Sequence, residues 1–103
     1  MKKFFLLFAL SLLIVAPLLA QDAEAKLKEL KIELPTIGKP LANYVHVVRT
    51  GNLLYLAGKG PAKTDGSYIT GKVGADLTID QGKVAARLTA INQLAVLKAE
   101  LGD

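Results

Sequence analysis

The strongest constraint in this chain is a two-residue turn, Gly51-Asn52, set between two β-rich runs in NYVHVVRTGNLLYLAGKGP, residues 43–61. A Gly-Asn pair flanked by Val, Tyr and Leu predicts a hairpin, and a two-residue loop fixes its register. Thr50 then faces Leu53, Val48 faces Tyr55, His46 faces Ala57 and Tyr44 faces Lys59. Side chains alternate along a strand. Val45, Val47, Leu54 and Leu56 therefore share one face, and Tyr44, His46, Tyr55, Ala57 and Lys59 share the other. The first face calls for an apolar partner, while the second carries nearly all the polar functionality of the region. The hairpin empties into a glycine loop at Gly58-Lys59-Gly60-Pro61.

The first twenty residues read as a segment outside the fold. Lys2 and Lys3 precede an apolar run from Phe4 to Val15, followed by Pro17 and Ala20. That is the plan of a secretory signal peptide, residues 1–20, and it implies an exported, periplasmic or secreted protein. Ala20 and Ala25 are both candidate cut positions. An uncleaved anchor is the alternative, although residues 4–20 fall just short of the ~20 apolar residues a spanning helix needs. Membrane attachment would come only through that segment.

Removal of residues 1–20 takes all three Phe with it and leaves Tyr as the only aromatic type. It also takes two of the 13 basic residues, so 11 stand against 9 acidic ones and the net charge falls to +2. No basic cluster of the kind that binds nucleic acid is present. The sequence has no Cys and one His. Disulfides, a cysteine nucleophile and a His/Cys zinc site within one chain are thereby excluded. Gly71-Lys72-Val73-Gly74 lacks the spacing of a phosphate loop, so no cofactor or metal is expected.

An N-terminal helix and linker are expected over residues 21–42, and one further unit over 43–103. Asp22 caps a helix running from Ala23 to Ile32, with Leu27 and Leu30 on one side and Pro35 as the stop. Its lysines and glutamates form a solvated face. Residues 36–42 are a linker, residues 63–67 a polar turn, and residues 71–76 a loop. A long helix starts at Thr78, whose capping box closes on Gln81 with Asp80 in the first turn. Val84, Leu88, Ile91, Leu94, Ala95 and Leu97 make its expected buried stripe, and it ends near Leu101-Gly102. Gly82 inside this helix costs about 1 kcal/mol relative to Ala, which a close approach to a neighbouring backbone would explain.

The segment Asn43 to Pro61 resembles the opening hairpin of the RidA (YjgF-type) family of enamine/imine deaminases. Members show a Tyr-containing first strand, then V-x-x-G-N and two hydrophobic residues before S-G-Q and a Pro-containing loop. Here the match extends to Ile32-Glu33-Leu34-Pro35 and to residues 69–103. The resemblance implies an α+β fold, a RidA/chorismate-mutase-like sheet with helices on one face. It is incomplete here, as a hairpin plus one long helix. It implies a homotrimer, if complete, with a small-molecule pocket between subunits.

By the same resemblance, Tyr44, Gly58 and Lys59 are the substrate-binding candidates. Tyr44 would line the pocket, and the Gly58 carbonyl would hold the substrate nitrogen. Two residues depart from the pattern: Ala57 replaces the family's Ser and Lys59 its Gln. Lys59 could attract a carboxylate, and a solvated lysine beneath Tyr44 is the plain alternative. His46 is read as a packed or surface residue, and Arg49 as a solvated edge residue. The family's substrate-binding arginine and its water-positioning acid have no counterpart, so no catalytic residue is assigned. The implied activity is hydrolytic deamination of reactive enamines or imines without cofactor. A non-catalytic periplasmic binding or interaction module, or an inactive fragment, are the alternatives.

Overall fold

The computed structural model describes residues 22–102, so the expected signal segment lies outside the described residues. Four elements follow one another: helix α1 (Ala23–Glu29), strands β1 (Val47–Thr50) and β2 (Leu53–Leu56), and helix α2 (Ile79–Leu101). Among the described residues no helix is long and apolar enough to cross a membrane.

The strands pair antiparallel in the register the turn dictates: Val47 with Leu56, Val48 with Tyr55, Arg49 with Leu54 and Thr50 with Leu53. Gly51 takes a φ of +58° while Asn52 does not turn positive. Positive φ at the first central residue alone fits a type II′ turn, whose twist matches that of the strands. The ladder is shorter than expected. It stops at Val47 and Leu56, with one further bond from the Ala57 N–H to the His46 carbonyl at 2.9 Å. Tyr44 and Lys59 thus lie outside the strands and do not pair across them. Val47 and Leu54 are half-buried, whereas Val48 and Tyr55 on the opposite face are exposed. Val45 and Leu56 also remain largely exposed, so the expected apolar face is covered only in part.

Helix α1 begins at Asp22, whose carboxylate accepts from the Glu24 N–H at 3.0 Å. It ends three residues before the expected Ile32, and Pro35 is not its stop. Lys31 adopts a φ of +54°. Its N–H reaches the Lys28 carbonyl and the Ile32 N–H reaches the Leu27 carbonyl. Those two bonds make a Schellman closure with lysine in the left-handed position that glycine usually fills. The charged face of α1 is not wholly solvated. Glu24 is half-buried and pairs with Lys98 near the far end of α2, at 2.5 Å.

Helix α2 opens on the expected capping box. Thr78 Oγ1 accepts from the Gln81 N–H at 3.2 Å, and Gln81 Oε1 accepts from the Thr78 N–H at 2.8 Å. Its buried stripe meets the expectation in part: Ala95 is buried and Leu88, Ile91 and Leu97 are half-buried. Val84 and Leu94 are exposed, and the residues most withdrawn from water are Asn92, Ala95 and Val96. Ala85, Leu88 and Thr89 continue that stripe, half-buried, toward the N-terminus. The true stripe places a polar residue, Asn92, at its centre, which an apolar periodicity cannot show. Gly82 is explained by a side chain rather than by a backbone. A Cβ there would stand 2.9 Å from Val73 Cγ2.

The turn at residues 63–67 is built on Asp65, which accepts from the Ser67 N–H at 2.9 Å and the Ser67 hydroxyl at 2.7 Å. Those bonds hold the Asp65 carboxyl below its ordinary range. The ionised form is the bonded one. Its support for the turn is therefore full above the ordinary carboxylate pKa and is lost as pH falls through the depressed value. Ser67→Ala should move the Asp65 titration upward, as read by carboxyl NMR. An unmoved titration would show that Ser67 is not the cause. At the end of α1, Lys31→Gly should raise stability by about 1 kcal/mol by relieving the left-handed Cβ, measured by urea denaturation. A loss of stability there would contradict the Schellman assignment.

Candidate functional site

The loop that leaves β2 is held from behind by two consecutive residues of α2. Asn92 is buried, and its amide donates to the Gly60 carbonyl and to the Ala62 carbonyl, both at 3.1 Å. Gln93 donates from Nε2 to the Ala57 carbonyl at 2.9 Å. A primary amide has two hydrogens to give, and Asn92 spends both on this loop. Gln93 Oε1 is buried without a partner among the described residues.

In front of the loop lies a cleft of about 650 Å³. Its walls come from the linker around Gly38 and Lys39, from Tyr44 and His46, from the loop Gly58-Lys59-Gly60, and from Tyr68. Gly60 is needed here because a Cβ would meet the Tyr68 ring at 2.9 Å. Tyr68 is held by its bridge to Ala62. Gly58 is different. A Cβ on it would meet nothing within 4 Å, so its lack of a side chain leaves space rather than relieving a clash.

Tyr44, Gly58 and Lys59 all line this one cleft, as does His46. The side chain that Lys59 meets is His46, not the expected Tyr44. Lys59 Nζ stands 2.5 Å from His46 Nδ1, and His46 Nε2 stands 2.8 Å from the Gly38 carbonyl. A carbonyl oxygen only accepts, which assigns the proton to Nε2. Nδ1 then carries the lone pair that faces the lysine. Tyr44 meets the same imidazole edge to face, with ring centroids 6.0 Å apart at 72°.

Burial lowers the Lys59 pKa from its ordinary value. The charged form is the one disfavoured, so this penalty on folding is present at neutral pH. It lifts as pH rises through the depressed value toward that of a free lysine. Arg49 is exposed near the turn, as expected.

Sequence reasoning missed His46 as the partner of Lys59, and it missed Gly38, Asn92, Gln93 and Tyr68 altogether. The hairpin register did place His46 and Lys59 on one face, and that was the available signal. The Gly38 contact comes from an irregular linker and left none. Among the described residues no cluster of His, Asp or Glu could hold a metal ion. The Gly58 carbonyl receives no hydrogen bond from any described residue, whereas its neighbours at Ala57 and Gly60 are both engaged. A larger groove of about 840 Å³ runs along α1 between Asp22 and Lys98. Its Glu24 and Lys98 are spent on each other, so the chemistry gathers in the smaller cleft.

No family model matches the chain. It is 33% identical to a Shewanella oneidensis protein whose crystal structure is described as that of a "putative endoribonuclease", with a TM-score of 0.71 over 78% of this chain and 53% of that one. A crystal structure of a protein of unknown function from Agrobacterium tumefaciens is 42% identical over 76% of this chain and 45% of its own, with a TM-score of 0.62. Protein TCP17 of Trypanosoma cruzi is 39% identical over 79 residues, 77% of this chain and 49% of the relative. The chain thus spans about half the length of the proteins it matches. The α+β arrangement is the YjgF/RidA-like fold over the shared part.

Replacing Asn92 with Leu would strand two loop carbonyls. The loss should be roughly 1–3 kcal/mol, seen as a lower urea midpoint. An unchanged midpoint would mean that the loop holds its position without the clamp.

Proposed function

We propose that this protein is a YjgF/RidA-type deaminase that binds small imines or enamines in the Tyr44–Lys59 cleft and hydrolyses them to a carbonyl compound and ammonia. One observation carries the reading: Gly58, whose carbonyl is an acceptor that no described residue engages, lines the cleft beside the Lys59 cation. An imine presents an N–H to such an acceptor. A carboxylate on the same molecule would meet Lys59, the cation that stands where the resemblance expects glutamine. Desolvated charge attracts more strongly than charge in water, so a half-buried lysine suits a small anion. Dipoles around the reacting carbon then stabilise the charge that develops as water adds. The reading takes in export, carried by residues 1–20 of the sequence, and a homotrimeric assembly of the complete domain, carried by the family resemblance.

A second reading is binding without turnover. It is favoured by Ala57 and Lys59, which remove a hydroxyl and add a charge relative to the deaminase pattern. RNA cleavage, suggested by the description of the Shewanella protein, would require a surface for a polyanion. The net charge of +2 after residue 20 gives that reading little support.

The discriminating experiment follows ammonia release from an imine generated in situ from an amino acid. Turnover should fall at least tenfold in Lys59→Gln, because the cation at the cleft wall is lost. It should also fall in Gly58→Leu, whose side chain enters the open space. Turnover indifferent to both changes would remove the site assignment. A thermal shift with small carboxylates and no ammonia would establish the binding module instead.

A further inference from the structure

Lys59 and His46 form a pair whose chemistry goes beyond attracting an anion. The Lys59 amine is half-buried at the cleft wall and lies against a ring nitrogen whose lone pair is free to take a proton. The opposite nitrogen is fixed as the donor by the Gly38 carbonyl. A lysine becomes a nucleophile when it is desolvated and has a base beside it; Lys59 is partly desolvated and has that base beside it, at one wall of a cleft of about 650 Å³. Burial also depresses its pKa, which enlarges the neutral fraction.

We propose that Lys59 is a covalent amine catalyst, taking imines and 2-oxo compounds as a Schiff base with His46 Nδ1 as its proton acceptor. The inference rests on the cleft assigned above, but it replaces direct water addition with transimination. His46 takes a proton from the Lys59 ammonium. The freed amine forms a C–N bond to the imine carbon, and the π pair moves onto the substrate nitrogen. That nitrogen gains one proton from His46 and a second from the Lys59 nitrogen, and departs as ammonia. The Lys59 lone pair closes the C=N bond, giving a protonated Schiff base. Water adds to it, the carbinolamine collapses, and the carbonyl product leaves with Lys59 restored as an ammonium. The sum is imine plus water giving carbonyl plus ammonia, with no redox step. The other titratable groups lining the cleft are Tyr44, Tyr68, Lys39 and Lys63, and the two lysines are exposed.

The test traps the reverse step. The full protein is incubated with pyruvate and sodium cyanoborohydride at neutral pH, and the reduced adduct is located by peptide mass spectrometry. The expected result is one adduct, on Lys59, with Lys39 and Lys63 unlabelled as internal controls. Lys59→Arg keeps the cation and should abolish the adduct. His46→Gln keeps a polar group against Lys59 and should slow trapping roughly 10²-fold, with a pH profile displaced upward. No adduct, or one spread evenly over the exposed lysines, would overturn the proposal. Ammonia release without an adduct would sink the covalent route while leaving the deaminase reading intact. An adduct without ammonia release would support covalent capture and remove the deaminase reading.

Discussion

Two hydrogens on one amide hold the halves of this structure together. Only Ala95 and Val96 are buried apolar residues among those described, so the hydrophobic term between helix and hairpin is small. Asn92 supplies what sheer burial does not, a directional tie from α2 to the carbonyls of Gly60 and Ala62. Gln93 adds a second tie to Ala57 on the near side of the same loop. A buried polar group that is fully satisfied specifies geometry better than an apolar contact of equal area, because its partners have direction. The glycine loop is thereby fixed at three carbonyls, and Gly58 and Lys59 lie between the pinned positions.

That arrangement explains why the cleft combines firm and yielding walls. The rear wall is bonded to a 23-residue helix. The front wall is the irregular linker, whose Gly38 carbonyl meets His46. The imidazole stands between the two, bonded to the linker on one side and to Lys59 on the other. Its tautomer is set by a backbone oxygen, so the lysine sees a lone pair rather than a proton. A glutamine at position 59 would meet the same nitrogen as a neutral donor, and neither proton transfer nor amine chemistry would follow.

The parts legible from the sequence were those governed by local rules. The register of β1 and β2 followed from Gly51-Asn52, and the start of α2 from Thr78 and Gln81, because turn and cap chemistry act over a few residues. The end of α1 was misplaced because lysine rarely takes a positive φ, and nothing in the residue type announces Lys31 as the exception. The stripe on α2 was legible at Leu88, Ile91, Ala95 and Leu97 but not at its centre, because Asn92 is read as solvated by any hydropathy pattern. Tyr44, Gly58 and Lys59 were named through the family resemblance, and all three line one cleft. The His46–Lys59 pair was not, since Lys59 leaves the ladder before its side chain turns toward the imidazole.

The contact between Gly60 and Tyr68 makes the two positions historically dependent. A Cβ at 60 would stand 2.9 Å from the ring at 68, which would have to turn aside to admit it. A chain drifting from this sequence therefore changes 60 more easily once the residue at 68 is smaller. Such paired positions deviate from additivity. They make the order of substitution matter in what is otherwise an ordinary surface loop.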